Sequence, residues 1–195
     1  MTGQERVAAI VLAGGRSSRF GRDKLVEPIR GRPMVAHAID AVRSVAAEVL
    51  VVVAPGSDPA VLDGVRIVHD ELAFEGPLAG IAAGLSATDA EIVVVVAGDM
   101  PTVVPDVLRR LVTCLITTAA DGAVLVVGED RPPIPMAVRR SAASAAAATL
   151  LASGERRLRA LPEALNAAGI PEGDWREDDP GGVSLLDVDT PADLA

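Results

Sequence analysis

The chain has no tyrosine, two phenylalanines and one tryptophan. Proteins that grip single-stranded nucleic acid stack its bases on aromatic rings, at roughly 1–3 kcal/mol per base, so the scarcity of rings argues against that mode of binding. The net charge of −9 likewise argues against nucleic acid and anionic membranes as partners. A single cysteine, Cys114, rules out an internal disulfide framework. It lies in an apolar helical stretch and reads as a buried, inert thiol. The two histidines, His37 and His69, have no cysteine or further histidine at ligand spacing, so no zinc site is expected. His37 reads as a residue on a helix face. No Gly-x-Ser-x-Gly elbow supports serine hydrolase chemistry. No signal peptide is visible, and the first apolar run is far shorter than the ~20 residues of a membrane span. A soluble, cytoplasmic chain is expected.

What is present is a regular alternation of apolar runs and helix-period segments over 195 residues. Strands are expected at 7–12, 49–53, 65–68, 92–97, 123–127, 134–138 and 183–188. Helices are expected after Pro33, over 78–85, over 104–116 and over the alanine-rich 141–151. The stretch 171–182 is acidic and rich in proline and glycine, so it reads as a surface loop. Strands that are apolar on both faces and alternate with helices imply a mostly parallel sheet covered on both sides. The expectation is one α/β domain over residues 1–195, a three-layer α/β/α sandwich.

The informative stretch is Leu12-Ala13-Gly14-Gly15-Arg16-Ser17-Ser18-Arg19-Phe20-Gly21-Arg22-Asp23-Lys24, directly after the first strand. Ligands of open α/β sheets bind beyond the carboxyl ends of strands. Gly14 and Gly15 let the backbone come close to a ligand and aim N–H groups at it. Arg16, Arg19, Arg22 and Lys24 add four cations within nine residues, a pattern suited to a polyphosphate. Neither the Walker spacing nor Gly-x-Gly-x-x-Gly is present, which sets aside two commoner phosphate loops. Lys24 is the only lysine in the chain. In so arginine-biased a sequence, a compact ammonium on a flexible stem at that position points to a requirement a planar guanidinium would not meet.

A second carboxylate motif follows another buried strand: Ile92–Ala97 runs into Gly98-Asp99-Met100-Pro101. Magnesium takes one or two carboxylates together with phosphate oxygens and water, so Asp99 is a candidate ligand. Asp70 follows the short third strand and precedes Glu75-Gly76-Pro77-Leu78-Ala79-Gly80-Ile81. Gly76, Gly80 and Gly84 admit either a ligand or close helix-on-sheet packing. The ending Leu186-Asp187-Val188-Asp189-Thr190-Pro191 carries two readings. One is a strand stop with Thr190 and Pro191 starting a helix. The other places Asp187 and Asp189 on one strand face, near metal or acceptor. Arg156, Arg157 and Arg159 form a basic cluster, read either as a phosphate clamp or as a solvated helix start.

These motifs resemble those of the molybdenum cofactor guanylyltransferases and their wider nucleotidyltransferase family, over nearly the whole chain. The resemblance implies a Rossmann-like nucleotidyltransferase fold. Leu12, Ala13, Gly14 and Gly15 would approach guanine and ribose, with Arg19 and Asp70 also at the nucleotide. Lys24 would contact the phosphates, and Asp99 would bind Mg2+. Asp187, Asp189, Arg156 and Arg157 would lie on the acceptor side, and Arg131–Pro135 loosely resembles an acceptor segment. The implied reaction moves GMP from GTP to Mo-molybdopterin, with handover to apo-molybdoenzymes or their chaperones by a monomer or weak homo-oligomer. Phe20 replaces a usual methionine. Val53-Ala54-Pro55 stands where guanine-using members often have an asparagine, which keeps CTP open as the donor. Another phosphorylated acceptor is a further alternative, and a non-catalytic nucleotide-binding protein is the reading of a different class.

Overall fold

The computed structural model describes residues 6–14, 24–56, 63–70, 76–188 and 190, with only the backbone of Lys24. The central strand β1 (Val7–Leu12) has four fully buried residues, which only a strand covered on both faces can have. Lys24–Val26 forms a 3-10 turn. A small hairpin, β2 (Pro28–Ile29) and β3 (Arg32–Pro33), leads into α1 (Met34–Arg43). Then follow β4 (Glu48–Val53), β5 (Arg66–His69), α2 (Pro77–Ser86) and β6 (Ile92–Ala97). The second half contains α3 (Pro105–Thr117), β7 (Gly122–Leu125), β8 (Met136–Arg139), α4 (Arg140–Ala152), α5 (Ala160–Ala164), β9 (Ala168–Ile170) and α6 (Glu172–Trp175).

The seven-stranded sheet has the order β5-β4-β1-β6-β8-β7-β9. All pairings are parallel except those of β8, which runs against both β6 and β7. The strand order reverses direction between β1 and β6, the place where open α/β sheets leave a crevice. The period of two sorts alternate strand residues into two cores. Ala9, Val11, Val94 and Val96 pack with α1 and α3 on one face. Ile10, Val93 and Val95 pack with α2, α4 and α5 on the other. This is the expected three-layer sandwich. Gly84 belongs to the packing reading: a Cβ there would lie 2.6 Å from Ile10 Cδ1 in the buried core. No helix among the described residues is long and apolar enough to cross a membrane.

Three local expectations are corrected. Residues 183–188 are not a strand: Val183–Leu185 is a 3-10 turn and Leu186–Val188 has no sheet partner. The apolar run Val183, Leu185, Leu186, Val188 suited a strand, but Gly182 in the left-handed region (φ 66°) starts a turn instead. The stretch 171–182 is more than a surface loop. It contains α6, and Trp175 is fully buried, donating from Nε1 to the Val126 carbonyl at 2.9 Å. Strand β9 was not expected, because Ala168-Gly169-Ile170 has weak strand propensity; pairing with β7 overrides it. Cys114 lies in α3 as expected but is only half-buried.

Asp179 shows how the C-terminal segment is built. It is buried, and its carboxylate accepts the Val183 N–H at 3.0 Å and the Ser184 N–H at 2.7 Å. Burial pushes its pKa up, but hydrogen bonds from the Ser184 backbone and hydroxyl, Val183 and Gly182 outweigh that and hold it below the usual carboxylate value. A depressed native pKa gives stability that is complete above the unfolded value of ~3.9 and is lost as pH falls through the native one. Asp179→Asn is therefore expected to cost about 1–3 kcal/mol at neutral pH. The gap from wild type should shrink as urea unfolding is repeated at pH values below about 4. A gap that stays constant with pH would contradict this assignment.

Candidate functional site

The site is assembled where β1 and β6 end. Gly98 donates its N–H to the Leu12 carbonyl at 2.9 Å, joining the last residue of β1 to the first residue past β6. A Cβ on Gly98 would lie 3.3 Å from Leu12 O, 3.2 Å from Val35 Cγ2 and 3.3 Å from Leu25 Cδ2. Leu12, Leu25 and Gly98 thus meet at one point. Their chain neighbours are Ala13, Lys24 and Asp99. Three motifs, the first and last of them 86 residues apart (Leu12 to Gly98), are thereby brought to one sheet edge by backbone pairing and packed apolar side chains.

From this junction the loop after β1 turns toward β4. The Ala13 N–H donates to the Val52 carbonyl at 2.7 Å, and a Cβ on Gly14 would lie 3.3 Å from Ala54 N. Beyond lies a cleft of about 450 Å³, within the ~300–1,000 Å³ typical of small-molecule sites. Leu12, Gly14, Val52–Pro55, Asp70, Gly76, Pro77 and Gly80 line it. Among the described residues its lining side chains are apolar except for Asp70. The Asp70 N–H donates to the Val53 carbonyl at 3.0 Å, and its Oδ2 lies 4.0 Å from where a Gly80 Cβ would be. A Cβ at Gly80 would make ordinary contacts with Leu12 and Val52 at 3.5 Å, so Gly80 lines the cleft without deciding between ligand approach and packing. Gly76 has φ 91°, and its Cβ would lie 3.0 Å from the Arg156 carbonyl oxygen, so glycine is needed there on both counts.

Asp99 sits on the first turn after β6, with Oδ1 buried. Its own carbonyl accepts the Val188 N–H at 2.9 Å, which brings the exposed Asp187 beside it. Among the described residues no cluster of three or more His, Cys, Asp or Glu could hold a metal. One or two hard carboxylates at a crevice edge fit a magnesium ion whose remaining ligands are phosphate oxygens and water.

The structure brings Leu12, Ala13, Gly14, Asp70, Asp99 and the Lys24 backbone to this edge. Gly15, Arg19, Asp189 and the Lys24 side chain lie outside the described residues, as do the expected helix start at Pro191 and the loop cations Arg16 and Arg22. The Arg156 guanidinium donates from Nη1 to the carbonyls of Leu151 and Glu155, both at 2.9 Å. Arg157 and Arg159 pair with Glu155 and Asp130. The Arg157 guanidinium, with the N–H groups of Arg157 and Arg156, holds the Glu155 carboxyl down at about 2. His37 bonds the Ile29 carbonyl at 2.8 Å, consistent with a structural role. A second cavity of about 220 Å³ lies beside Glu129–Arg131, Arg159 and Asn166. Sequence reasoning missed the part Gly98 plays. Its signal was a glycine at the end of a buried strand, where no turn type demands one.

Residues 9–168 match the profile of the MobA-like NTP transferase domain. The molybdenum cofactor guanylyltransferase of Shewanella putrefaciens is 33% identical, over 78% of this chain and 78% of that protein. A probable molybdenum cofactor guanylyltransferase of Chloroflexus aggregans is 33% identical over 96% of this chain and 91% of its own length. Among solved structures, the molybdopterin-guanine dinucleotide biosynthesis protein A of Archaeoglobus fulgidus superposes with a TM-score of 0.79. It is 23% identical and covers 96% of this chain and 94% of its own.

The junction is testable by volume. Gly98→Ala is expected to cost about 1–3 kcal/mol in urea unfolding, because a backbone carbonyl and two packed side chains must give way. A variant as stable as wild type would show that the contact is looser than described.

Proposed function

The chain belongs to the MobA-like NTP transferase family, and from that premise we propose that it transfers GMP from GTP to the phosphate of Mo-molybdopterin, releasing pyrophosphate. The observation that carries this reading is the cleft beside Asp70, which is continuous through Gly14 and Leu12 with the junction that holds Asp99. A nucleoside fits the apolar, singly acidic cleft, and its phosphates then extend over the loop after β1 to the β1–β6 crevice. The whole chain acts as one nucleotidyltransferase domain in this account.

Leu12, Ala13, Gly14 and Gly15 hold base and ribose, with Asp70 accepting hydrogen bonds from N–H or hydroxyl donors on the nucleoside. Lys24 and Arg19 bind the triphosphate. Asp99 holds Mg2+, which supplies charge neutralisation at the α-phosphate and the leaving pyrophosphate. The acceptor phosphate monoester is already ionised near neutral pH, so the chain needs no strong general base. An acceptor oxygen forms the new bond to the α-phosphorus as the bond to the bridging oxygen of pyrophosphate breaks. The chain contributes alignment and preorganised positive charge. The Val188 N–H bond to the Asp99 carbonyl brings Asp187 near Asp99, and Asp187 and Asp189 serve the acceptor side in this reading. Arg156 and Arg157 stand by Gly76 at the rim, and receive the acceptor in this reading only if their internal pairings exchange. Delivery to apo-molybdoenzymes or their chaperones from a cytoplasmic monomer or weak homo-oligomer follows from the same premise.

One observation favours a second donor. Val53, Ala54 and Pro55 line the cleft and present no side-chain hydrogen-bonding group where guanine-using relatives often carry asparagine. Calorimetry with GTP, CTP and ATP in the presence of Mg2+ decides between them. Saturable GTP binding is expected, at least tenfold weaker for CTP, and reduced by about tenfold or more in Lys24→Ala. Preference for CTP would move the reading to a cytidylyltransferase. Binding without turnover, read as pyrophosphate release with the acceptor, would favour a non-catalytic protein.

A further inference from the structure

Segment 183–188 is stitched to the loop that carries Asp99 by three hydrogen bonds that span some 80 to 90 residues of sequence. The Val188 N–H donates to the Asp99 carbonyl at 2.9 Å. The Thr102 hydroxyl donates to the Val183 carbonyl at 2.8 Å. The Val104 N–H, at the start of α3, donates to the Ser184 hydroxyl at 3.0 Å. The segment is itself anchored. Asp179 caps its turn, Ser184 is fully buried, and Val188 is buried against Met34 and Ile29. The loop 98–104 is thus gripped on its N-terminal side by Gly98 at the β1 junction and along its length by the C-terminal segment.

Resting on the proposed function, we infer that residues 183–188 are a positioning strap for the metal carboxylate. Ser184 and the Val188 N–H set the backbone of residues 99–104 so that Asp99 meets the metal ion and the phosphates in one orientation. Partners that orient a metal ligand typically carry about 10–100-fold in metal affinity. The strap makes this contribution through the peptide backbone rather than through the carboxylate.

The test uses the full-length chain and Mn2+ as the metal probe, with free ion counted by electron paramagnetic resonance in the presence of GTP. Val188→Pro removes the N–H that reaches Asp99, and Ser184→Ala removes the acceptor of the Val104 N–H. Both are expected to weaken Mn2+ binding about tenfold, while GTP binding without metal stays within about twofold of wild type. Unchanged Mn2+ affinity in folded variants would overturn the strap, as would equal losses with and without metal, which mark general damage. Should Val188→Pro fail to fold, Ser184→Ala and Thr102→Val decide by the same two readouts. If wild type binds GTP but the variants leave its metal dependence unaltered, the strap alone fails. If wild type binds no nucleotide at any Mn2+ concentration, the proposed function fails with it.

Discussion

The Gly98 N–H bond to the Leu12 carbonyl joins the last residue of β1 to the first residue past β6, and the site is organised around it. Parallel strands need long crossovers, so neighbours in the sheet come from distant parts of the chain. Here that requirement sets Leu12, Leu25 and Gly98 against one another. Each is followed or preceded at once by a residue with chemistry: Ala13 and Gly14, Lys24, Asp99. Because the contact is between backbone and packed apolar side chains, it is rigid without any of the functional groups having to bond each other.

From that junction the two halves of the site diverge in character. Toward β4 and β5 the walls are apolar and, among the described lining residues, Asp70 is the charged group, which suits a nucleoside in the proposed function. Toward β6 and the C-terminal segment the loops carry Asp99 and the exposed Asp187, which in the same proposal would face a hard cation and phosphates. In the proposed function, a chain of net charge −9 would accommodate a triphosphate through the loop cations and a metal ion held locally, while its overall charge argues against polyanions in general.

Much of the fold was legible because its strands are nearly pure valine, isoleucine, leucine and alanine. Val7–Leu12 and Ile92–Ala97 read identically in sequence and structure, and Asp70 and Asp99 were placed at strand ends for that reason. The misreadings share a cause. Apolar residues at 183, 185, 186 and 188 resemble a strand, but once Gly182 turns the chain Leu185 packs against the core, Val188 packs on Met34 and Ile29, and Leu186 is exposed. Trp175 sat in an acidic, proline-rich stretch whose composition hid a core residue. Pairing partners 50 to 90 residues away decide both cases, and no local pattern encodes them. Whether Arg156 and Arg157 face an acceptor was equally invisible, because their present partners, Glu155 and nearby carbonyls, are neighbours that any surface cluster might have.

The central claim is that nucleotide and metal meet across the β1–β6 crevice, base by Asp70 and phosphates by Asp99. Crystals grown with GTP and Mn2+, measured where manganese scatters anomalously, test it directly. The account predicts an anomalous peak about 2.0–2.3 Å from an Asp99 carboxylate oxygen, with the base in the cleft lined by Leu12, Val53 and Gly80. A peak away from Asp99, or a base lying outside that cleft, would contradict it.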